Sequence, residues 1–361
     1  MARPAQARLN LAALRHNVGV TRELAPDTQL MAVVKANAYG HGSVVMARAL
    51  EPLVDALAVA CSEEALELRT AGIRCPILLM EGVFEAHELI TAAQHSLWVT
   101  IDNETQLRWL EETRLPGPLH CWLKVDTGMH RLGVSPSQFP EFHQRLLASG
   151  KLRELPVLST HFASADELDN PQTAQQLALF EATCNGVEGL RSAANSPAVL
   201  AWPEAHYDWI RPGFMLWGNS PFAAPQPQAA ALKPVMTLSS AVISVRSIAV
   251  GERVGYGGSW QAQRPSRIAT VTIGYGDGYP RTATNGTPVL IDGERAPLVG
   301  RVSMDMVTVD VTDLPPVAIG APAVLWGDGL PVTEVARTAG TSGYELLTRM
   351  PSRTPRIVTV T

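Results

Sequence analysis

The stretch LMAVVKANAYGHG, residues 30–42, joins an uninterrupted apolar run to a lysine and a glycine-containing loop. An apolar run without alternating polar positions is typical of a parallel strand covered on both faces. Seven more such runs alternate with helical patterns, at residues 56–60, 76–80, 97–101, 119–125, 156–160, 190–194 and 208–211. Eight strand–helix units in about 220 residues predict a closed (β/α)8 TIM-like barrel. A Rossmann-type open sheet is the alternative, but no run is followed by G-x-G-x-x-G.

The character of the sequence changes after a proline-rich connection, PFAAPQPQAAA, at residues 221–231. Beyond it, β-rich runs such as VMTLSSAVISV and RIATVTI are accompanied by Asn-Gly and Asp-Gly turn signals. We predict two domains, a barrel over residues 1–225 and a mainly antiparallel β domain over residues 226–361. The fold class is therefore α/β plus β.

The composition is that of a folded globular protein, with 46% apolar and 17% charged residues in a chain of 361. A net charge of −5 gives no general electrostatic reason to bind nucleic acid or an anionic membrane. No apolar run reaches the roughly 20 residues of a membrane helix, and the first residues lack the apolar segment of a signal peptide. We expect a cytoplasmic protein whose four scattered cysteines are free thiols.

Polar residues directly after the predicted barrel strands are candidate site residues, because active sites of such barrels lie at the C-terminal ends of the strands. The candidates are Lys35, Tyr39, Lys124, Asp126, His161, Asn195, Ser196 and Arg211. Only four lysines occur in the chain, and two of them are in this set. No HExxH, Cys–His cluster or Asp-rich loop predicts a metal site, and no GxSxG elbow predicts a serine hydrolase.

Two of these lysines occupy positions where a charged amine is costly to desolvate. Lys35 ends an apolar strand; either its pKa is lowered, so that it acts as a nucleophile able to form a Schiff base, or it snorkels to the barrel rim. Strand alternation places Lys124 on the same face as Asp126. Either the two form a structural ion pair, or the charge of Lys124 is changed.

Residues near the last two barrel strands are suited to a charged ligand. Arg211 offers a permanently charged donor fork, and Gly213 permits a positive φ and close approach of a ligand. Asn195 and Ser196 precede a proline, as at a helix N-terminus; helix capping and phosphate binding are both open for Ser196.

The β domain contains no histidine, since all nine lie at or before residue 206. A proton donor or acceptor from this domain must therefore be another residue type. Tyr256 and Tyr275 lie between glycines, which leaves their rings uncrowded by neighbouring side chains. Contact with a ligand or another subunit is one interpretation, and an aromatic plug in a glycine-rich hairpin is the other.

Several motifs follow one another along essentially the whole chain: VVKANAYGHG, KVDTGMHRLG, STHFA, NSPA, WIRPG, GYG and GRVSMDM. Together they resemble the bacterial alanine racemase family, whose members use pyridoxal 5'-phosphate (PLP). It implies a PLP-binding barrel followed by a β domain. It also implies a head-to-tail homodimer in which each active site takes residues from both subunits.

Carried over position by position, the resemblance implies a cofactor site in the barrel. PLP would be bound by Lys35, Tyr39, Asn195, Ser196, Arg211, Gly213 and Phe214. Within this set Lys35 attaches it covalently, and Arg211, supported by His161, faces the pyridine nitrogen.

The resemblance also implies the residues that meet the substrate. Lys124 is similar to a family lysine that is N-carboxylated and orients Arg131, which would contact the substrate carboxylate. Tyr256 would be the second acid/base. The partner subunit would also supply Tyr275, Met304 and Asp305 near the substrate entrance.

The implied reaction is the interconversion of L- and D-alanine by two-base proton transfer on the PLP-bound substrate, with Lys35 on one face and Tyr256 on the other. A PLP-dependent basic amino acid decarboxylase is an alternative that Arg211 disfavours, and a non-catalytic PLP carrier is one that the β domain disfavours. A racemase of broader specificity stays open. Some family members have a tyrosine just before the terminal R-x-P-R that reaches the phosphate and narrows the entrance, and this chain has Ser352 there. A role in cell-wall synthesis or in D-alanine breakdown is equally open.

Overall fold

The computed structural model describes residues 3–360. Its strands are β1 (Gln6–Asn10), β2 (Gln29–Val33), β3 (Ala56–Val59), β4 (Ile77–Leu79), β5 (Leu97–Ile101), β6 (His120–Lys124), β7 (Val157–Ser159), β8 (Arg191–Ser192), β9 (Trp209–Ile210), β10 (Met236–Ile248), β11 (Arg253–Val254), β12 (Trp260–Gln261), β13 (Ser266–Val271), β14 (Pro288–Ile291), β15 (Glu294–Pro297), β16 (Val307–Asp310), β17 (Pro322–Trp326) and β18 (Arg356–Thr359). Its helical segments are α1 (Leu11–Leu24), α2 (Lys35–Tyr39), α3 (Ser43–Leu50), α4 (Ser62–Thr70), α5 (Glu88–Gln94), α6 (Glu104–Glu112), α7 (Phe139–Ala148), α8 (Gln172–Thr183), α9 (Ser196–Ala201), α10 (Pro227–Ala230), α11 (Val332–Thr338) and α12 (Gly343–Thr348). Short 3-10 turns cover Pro203–Ala205, Tyr256–Gly258 and Tyr275–Asp277.

Strands β2 to β9 form a closed parallel barrel. Each overlaps one of the eight apolar runs, so the predicted fold class is confirmed for this part of the chain. The barrel closes where β2 pairs with β9, with Leu30 opposite Ile210. Every residue of β3 is buried. Burial on both faces explains why these strands lack a polar alternation.

Large aromatic side chains fill the barrel toward the N-terminal ends of its strands. Trp98, Trp122 and Trp209 pack there, with ring centroids 5.5 to 6.4 Å apart. This packing occupies the barrel interior on that side. A ligand site must therefore lie toward the C-terminal ends of the strands.

The remaining strands form the predicted, mostly antiparallel β domain. Eight strands share one sheet, in which the order β15-β14-β17-β10-β1-β18 is extended by β13 and β16 beside β10. The 13-residue strand β10 pairs with three neighbours and forms the centre of the sheet. β1 falls in the predicted first domain, residues 1–225, yet it pairs with β10 and β18. The boundary near residue 225 stays a prediction.

Helix length and polarity bear on the expectation that the protein does not enter a membrane. Within residues 3–360, none of the helices combines the length and the apolar composition that crossing a bilayer demands.

Candidate active site

A cavity of about 710 Å³ opens at the C-terminal ends of the barrel strands. It is lined by ten of the residues singled out from the sequence: Lys35, Tyr39, Lys124, Arg131, His161, Asn195, Ser196, Arg211, Gly213 and Phe214. Four basic residues line it, against the acidic Glu81 and Asp166. The excess of positive charge favours an anionic ligand.

Lys35 and Tyr39 are presented to this cavity by a left-handed turn. The residues Ala36, Asn37, Ala38 and Tyr39 all have φ between 51° and 55°. The left-handed conformation costs about 1 to 2 kcal/mol for each residue that has a Cβ. The sequence predicted only a glycine-containing loop that leads into a helix. Backbone strain of this kind is concentrated at functional sites.

Tyr39 and Ser196 meet at Gly213. A Cβ on Gly213 would lie 2.5 Å from the Tyr39 phenolic oxygen, which explains the glycine. Glycine permits a positive φ at this position, but the φ of Gly213 lies outside the left-handed region, so close approach is what requires the glycine. Its backbone N–H donates to Ser196 Oγ over 2.9 Å. Asn195, whose Oδ1 accepts from the backbone N–H of Ala198, is the cap of α9, so the Ser196 hydroxyl is not needed for capping.

Arg211 is buried and held in place by backbone carbonyls. It donates to the oxygens of Thr160 and Ala193, at 2.7 and 3.3 Å, and to Ser192 Oγ. Burial lowers the pKa of Arg211 to about 10, so the guanidinium remains charged at neutral pH. Burial and the nearby Arg211 charge hold the pKa of His161 well below its ordinary value. His161 is therefore a neutral imidazole at pH 7.

Lys124 has no partner in Asp126, contrary to one of the two interpretations left open by the sequence. The Asp126 carboxylate instead accepts from the backbone N–H groups of Gly128, Met129 and His130, each at 3.0 Å. Burial, followed by the Arg211 charge, lowers the pKa of Lys124 to about 8. The ion-pair interpretation is wrong, because the Asp126 carboxylate accepts its hydrogen bonds from the backbone of its own loop.

Four predicted site residues lie on the β domain, outside the cavity wall formed by residues 3–360. Tyr256 is 72% exposed, and Met304 and Tyr275 are also exposed. Asp305 forms an ion pair with Arg353. Tyr256 is neither an aromatic plug nor part of a core. The chain by itself does not bring these four residues to Lys35.

Tyr344 lines the cavity and was missed by the reasoning from sequence. It lies on α12, and its ring stacks on Phe214 at 3.8 Å and approaches the Tyr39 ring at 6.2 Å. Ser352, where a phenol seemed to be lost, does not line the cavity in the described chain. The phenol at this end of the cavity comes from Tyr344 on α12. A search restricted to residues that follow the barrel strands misses Tyr344, because α12 lies in the C-terminal part of the chain.

Models of a known sequence family match two stretches of this chain. Sequence models described as the alanine racemase N-terminal and C-terminal domains match residues 9–221 and 235–358. The chain belongs to the alanine racemase family. The family is one of PLP-dependent isomerases, and the resemblance seen in the sequence is confirmed.

Individual alanine racemases agree with this chain over nearly their whole length. The alanine racemase of Pseudomonas taetrolens is 53% identical over 354 residues, which cover 98% of each chain. A catabolic alanine racemase of Pseudomonas putida is 52% identical with the same coverage. The crystal structure of the biosynthetic alanine racemase of Pseudomonas aeruginosa matches with a TM-score of 0.95 at 50% identity, covering 99% of each chain. The chain is thus similar to both a catabolic and a biosynthetic alanine racemase.

Proposed function

We propose that this chain is an alanine racemase that attaches PLP to Lys35 and interconverts L- and D-alanine in the cytoplasm. The observation that carries the proposal is the position of Lys35, whose amine enters a cationic cavity at the open end of the barrel. Similarity at 53% identity to an alanine racemase supports alanine as the substrate.

The donors in the cavity fit PLP, which carries a phosphate, a phenolic oxygen and a pyridine nitrogen. Ser196 and the backbone of Gly213 lie beside Tyr39, where hydroxyl and N–H donors suit a phosphate. The missing Cβ of Gly213 leaves room for the Tyr39 phenol there. Tyr344 supplies a second phenol next to Tyr39. Asn195 and Phe214 complete this end of the cavity.

When bound, PLP withdraws electrons from the substrate Cα and so acidifies its proton. Lys35 would hold PLP in the absence of substrate, and its free amine would take or return the Cα proton on one face. The partner subunit's Tyr256 serves the opposite face. Arg131, at the exposed side of the cavity, binds the substrate carboxylate.

Arg211 selects racemisation over other PLP reactions. Its charged guanidinium would donate a hydrogen bond to the ring nitrogen while keeping its own proton. The ring would then withdraw electrons only partially, which would favour return of the Cα proton. The neutral His161 beside it adds no further positive charge. A decarboxylase of this barrel class would be favoured by an acidic residue in place of Arg211.

Lys124 is proposed to be N-carboxylated. Its amine is half-buried, and burial and the Arg211 charge depress its pKa to about 8. A neutral amine attacks carbon dioxide, forms an N–C bond and releases its proton, which leaves a carbamate anion. Among the cations Lys35, Arg131 and Arg211, an anion is more favourable than a fourth positive charge.

The proposed assembly is a head-to-tail homodimer, which accounts for the exposed position of Tyr256. The partner subunit would also contribute Tyr275, Met304 and Asp305 at the substrate entrance. No metal ion or nucleic acid takes part in this proposal.

The proposal is tested with purified protein, by its colour and by chiral chromatography of alanine. The expected result is a yellow protein that converts either enantiomer into the racemate. Release of carbon dioxide from a basic amino acid would instead support the decarboxylase. A yellow protein that leaves alanine unchanged would support a carrier, and a protein that does not bind PLP would refute the proposal.

A further inference from the structure

We propose that His41 is a positioning residue whose Nδ1–H holds the left-handed turn that presents Lys35 and Tyr39. The inference rests on the proposed function and adds a residue to it. His41 does not line the cavity formed by residues 3–360, so its effect passes through the backbone of the turn.

The contacts of the His41 ring determine its tautomer. Nδ1 lies 2.9 Å from the carbonyl oxygen of Ala38 and 2.9 Å from that of Tyr39. Both oxygens are acceptors only, so Nδ1 carries the proton and donates it to them. The two carbonyls belong to Ala38 and Tyr39, the last two residues of the left-handed run before Gly40. The imidazole therefore cross-links the end of the turn from which the Tyr39 side chain extends.

The surroundings of His41 hold its ring in this orientation. The residue is fully buried, and its ring stacks on Trp217 with centroids 4.7 Å apart. Nε2 is buried without a hydrogen-bond partner in the described residues. Burial lowers the pKa of His41 to about 4, although the hydrogen bonds to the Tyr39 and Ala38 carbonyls act in the opposite direction. A neutral ring with its proton on Nδ1 is the form that satisfies both carbonyls.

The Nδ1–H donor of His41 offsets part of the free-energy cost of the left-handed turn. Four consecutive residues that have a Cβ adopt a positive φ, which is unfavourable for each of them, so the turn needs compensating contacts. A buried carbonyl group without a donor would add to that cost. The Ala38 oxygen also accepts from the backbone N–H of His41 over 3.0 Å, so the imidazole matters most for the Tyr39 oxygen. Arg356 Nε donates to the Gly40 oxygen over 2.7 Å and closes the adjacent part of the turn. His41 supplies the donor for the part that carries Tyr39.

A matched pair of substitutions separates this role from simple core filling. In His41→Asn, the side-chain amide places an N–H close to the position of Nδ1. In His41→Gln, the amide lies near the position of Nε2 instead, although both side chains are polar and smaller than imidazole. If His41 only filled space, the Asn and Gln substitutions would have similar effects.

The experiment measures the dissociation constant of PLP for wild type and both variants, together with the thermal unfolding of the PLP-free proteins. We expect His41→Gln to weaken PLP binding by about tenfold or more, and His41→Asn to recover most of the affinity. The unfolding temperatures of the two variants should be similar. Equal PLP affinities for Asn and Gln would overturn the inference while leaving the proposed function intact.

Neutron diffraction of the wild-type protein gives a second test that needs no variant. A deuterium on Nδ1 and none on Nε2 is expected. A deuterium on Nε2 would overturn the inference, even if every variant failed to fold. Failure of the wild type to bind PLP at all would refute the proposed function and the inference with it.

Discussion

Lys35 is proposed both to attach the cofactor and to transfer the Cα proton. Lys35→Ala should abolish the covalent link to PLP and reduce racemisation by about 10² to 10⁴-fold or more, since both a nucleophile and a base are lost. Borohydride reduction followed by peptide mass analysis checks the link. Lys233→Ala is the control, because Lys233 does not line the cavity in the described chain. Labelling of a different lysine in wild type would contradict the assignment.

Tyr256 tests the second face of the substrate. Tyr256→Phe should retain the yellow colour and lower racemisation by about 10² to 10⁴-fold. Exchange of the Cα proton with solvent should be impaired unequally for the two enantiomers, because only one face loses its acid/base. Tyr207→Phe serves as the control, since Tyr207 donates to Glu181 outside the cavity. Equal impairment of exchange for both enantiomers would argue against the two-face scheme.

The pKa of Lys124 leads to a prediction about pH. Burial lowers it to about 8, so the amine is mostly protonated and unreactive below that pH and becomes neutral above it. Carboxylation by ¹³C-bicarbonate should therefore increase as the pH rises through about 8, and carbon-13 NMR measures it. The signal should vanish in Lys124→Arg and persist in Lys151→Arg. A signal that survives in Lys124→Arg would exclude this site.

At the scale of elements, α2 and α12 touch through Gly40. A Cβ on Gly40 would lie 1.9 Å from the Leu347 oxygen, and its φ is +78°. Gly40→Ala should separate α12, with Tyr344, from Tyr39. We expect a loss of about 1 to 3 kcal/mol from overpacking, in addition to the strain of the positive φ.

Chemical denaturation of wild type and variant measures that loss. Gly72→Ala is the matched control, because Gly72 has a φ of +90° and no atom within 4 Å of a built Cβ. It isolates the backbone strain from the overlap. A similar loss of stability in both variants would show that contact between α2 and α12 has no importance of its own. PLP affinity should fall in Gly40→Ala only.

The whole molecule is tested by complementation between inactive subunits. In a head-to-tail dimer of one Lys35→Ala and one Tyr256→Phe subunit, one site carries both defects and the other carries none. Co-expression with two different affinity tags allows the mixed dimer to be isolated. It should recover roughly half of wild-type activity, because one of its two sites is intact. Activity no higher than in either single variant would mean that each site is built from one chain.

The local pattern of the sequence was sufficient for the barrel, the β domain and eight residues of the cavity wall, whereas Arg131 and Phe214 came from the family resemblance. Buried parallel strands are recognisable as apolar runs, and the residues at the end of each run have side chains that reach the open end of the barrel. Tyr344 was not found in this way, since its helix reaches the cavity from a distant part of the chain. The family resemblance placed Tyr256 in the site, but position in the chain alone cannot test this.

Periodicity and residue type alone thus determined the order of strands and helices, the lysine at the end of β2 and the arginine after β9. Tertiary structure decided the partner of Asp126, the reason for Gly213 and the handedness of the turn after Lys35. The Tyr39 phenol meets Gly213, and the His41 ring packs against Trp217, from distant parts of the chain. Asp126 instead accepts from the backbone of its own loop, whose conformation the apolar pattern does not specify. Short-range patterns record burial, whereas hydrogen-bond partners and close approaches exist only once the chain has folded.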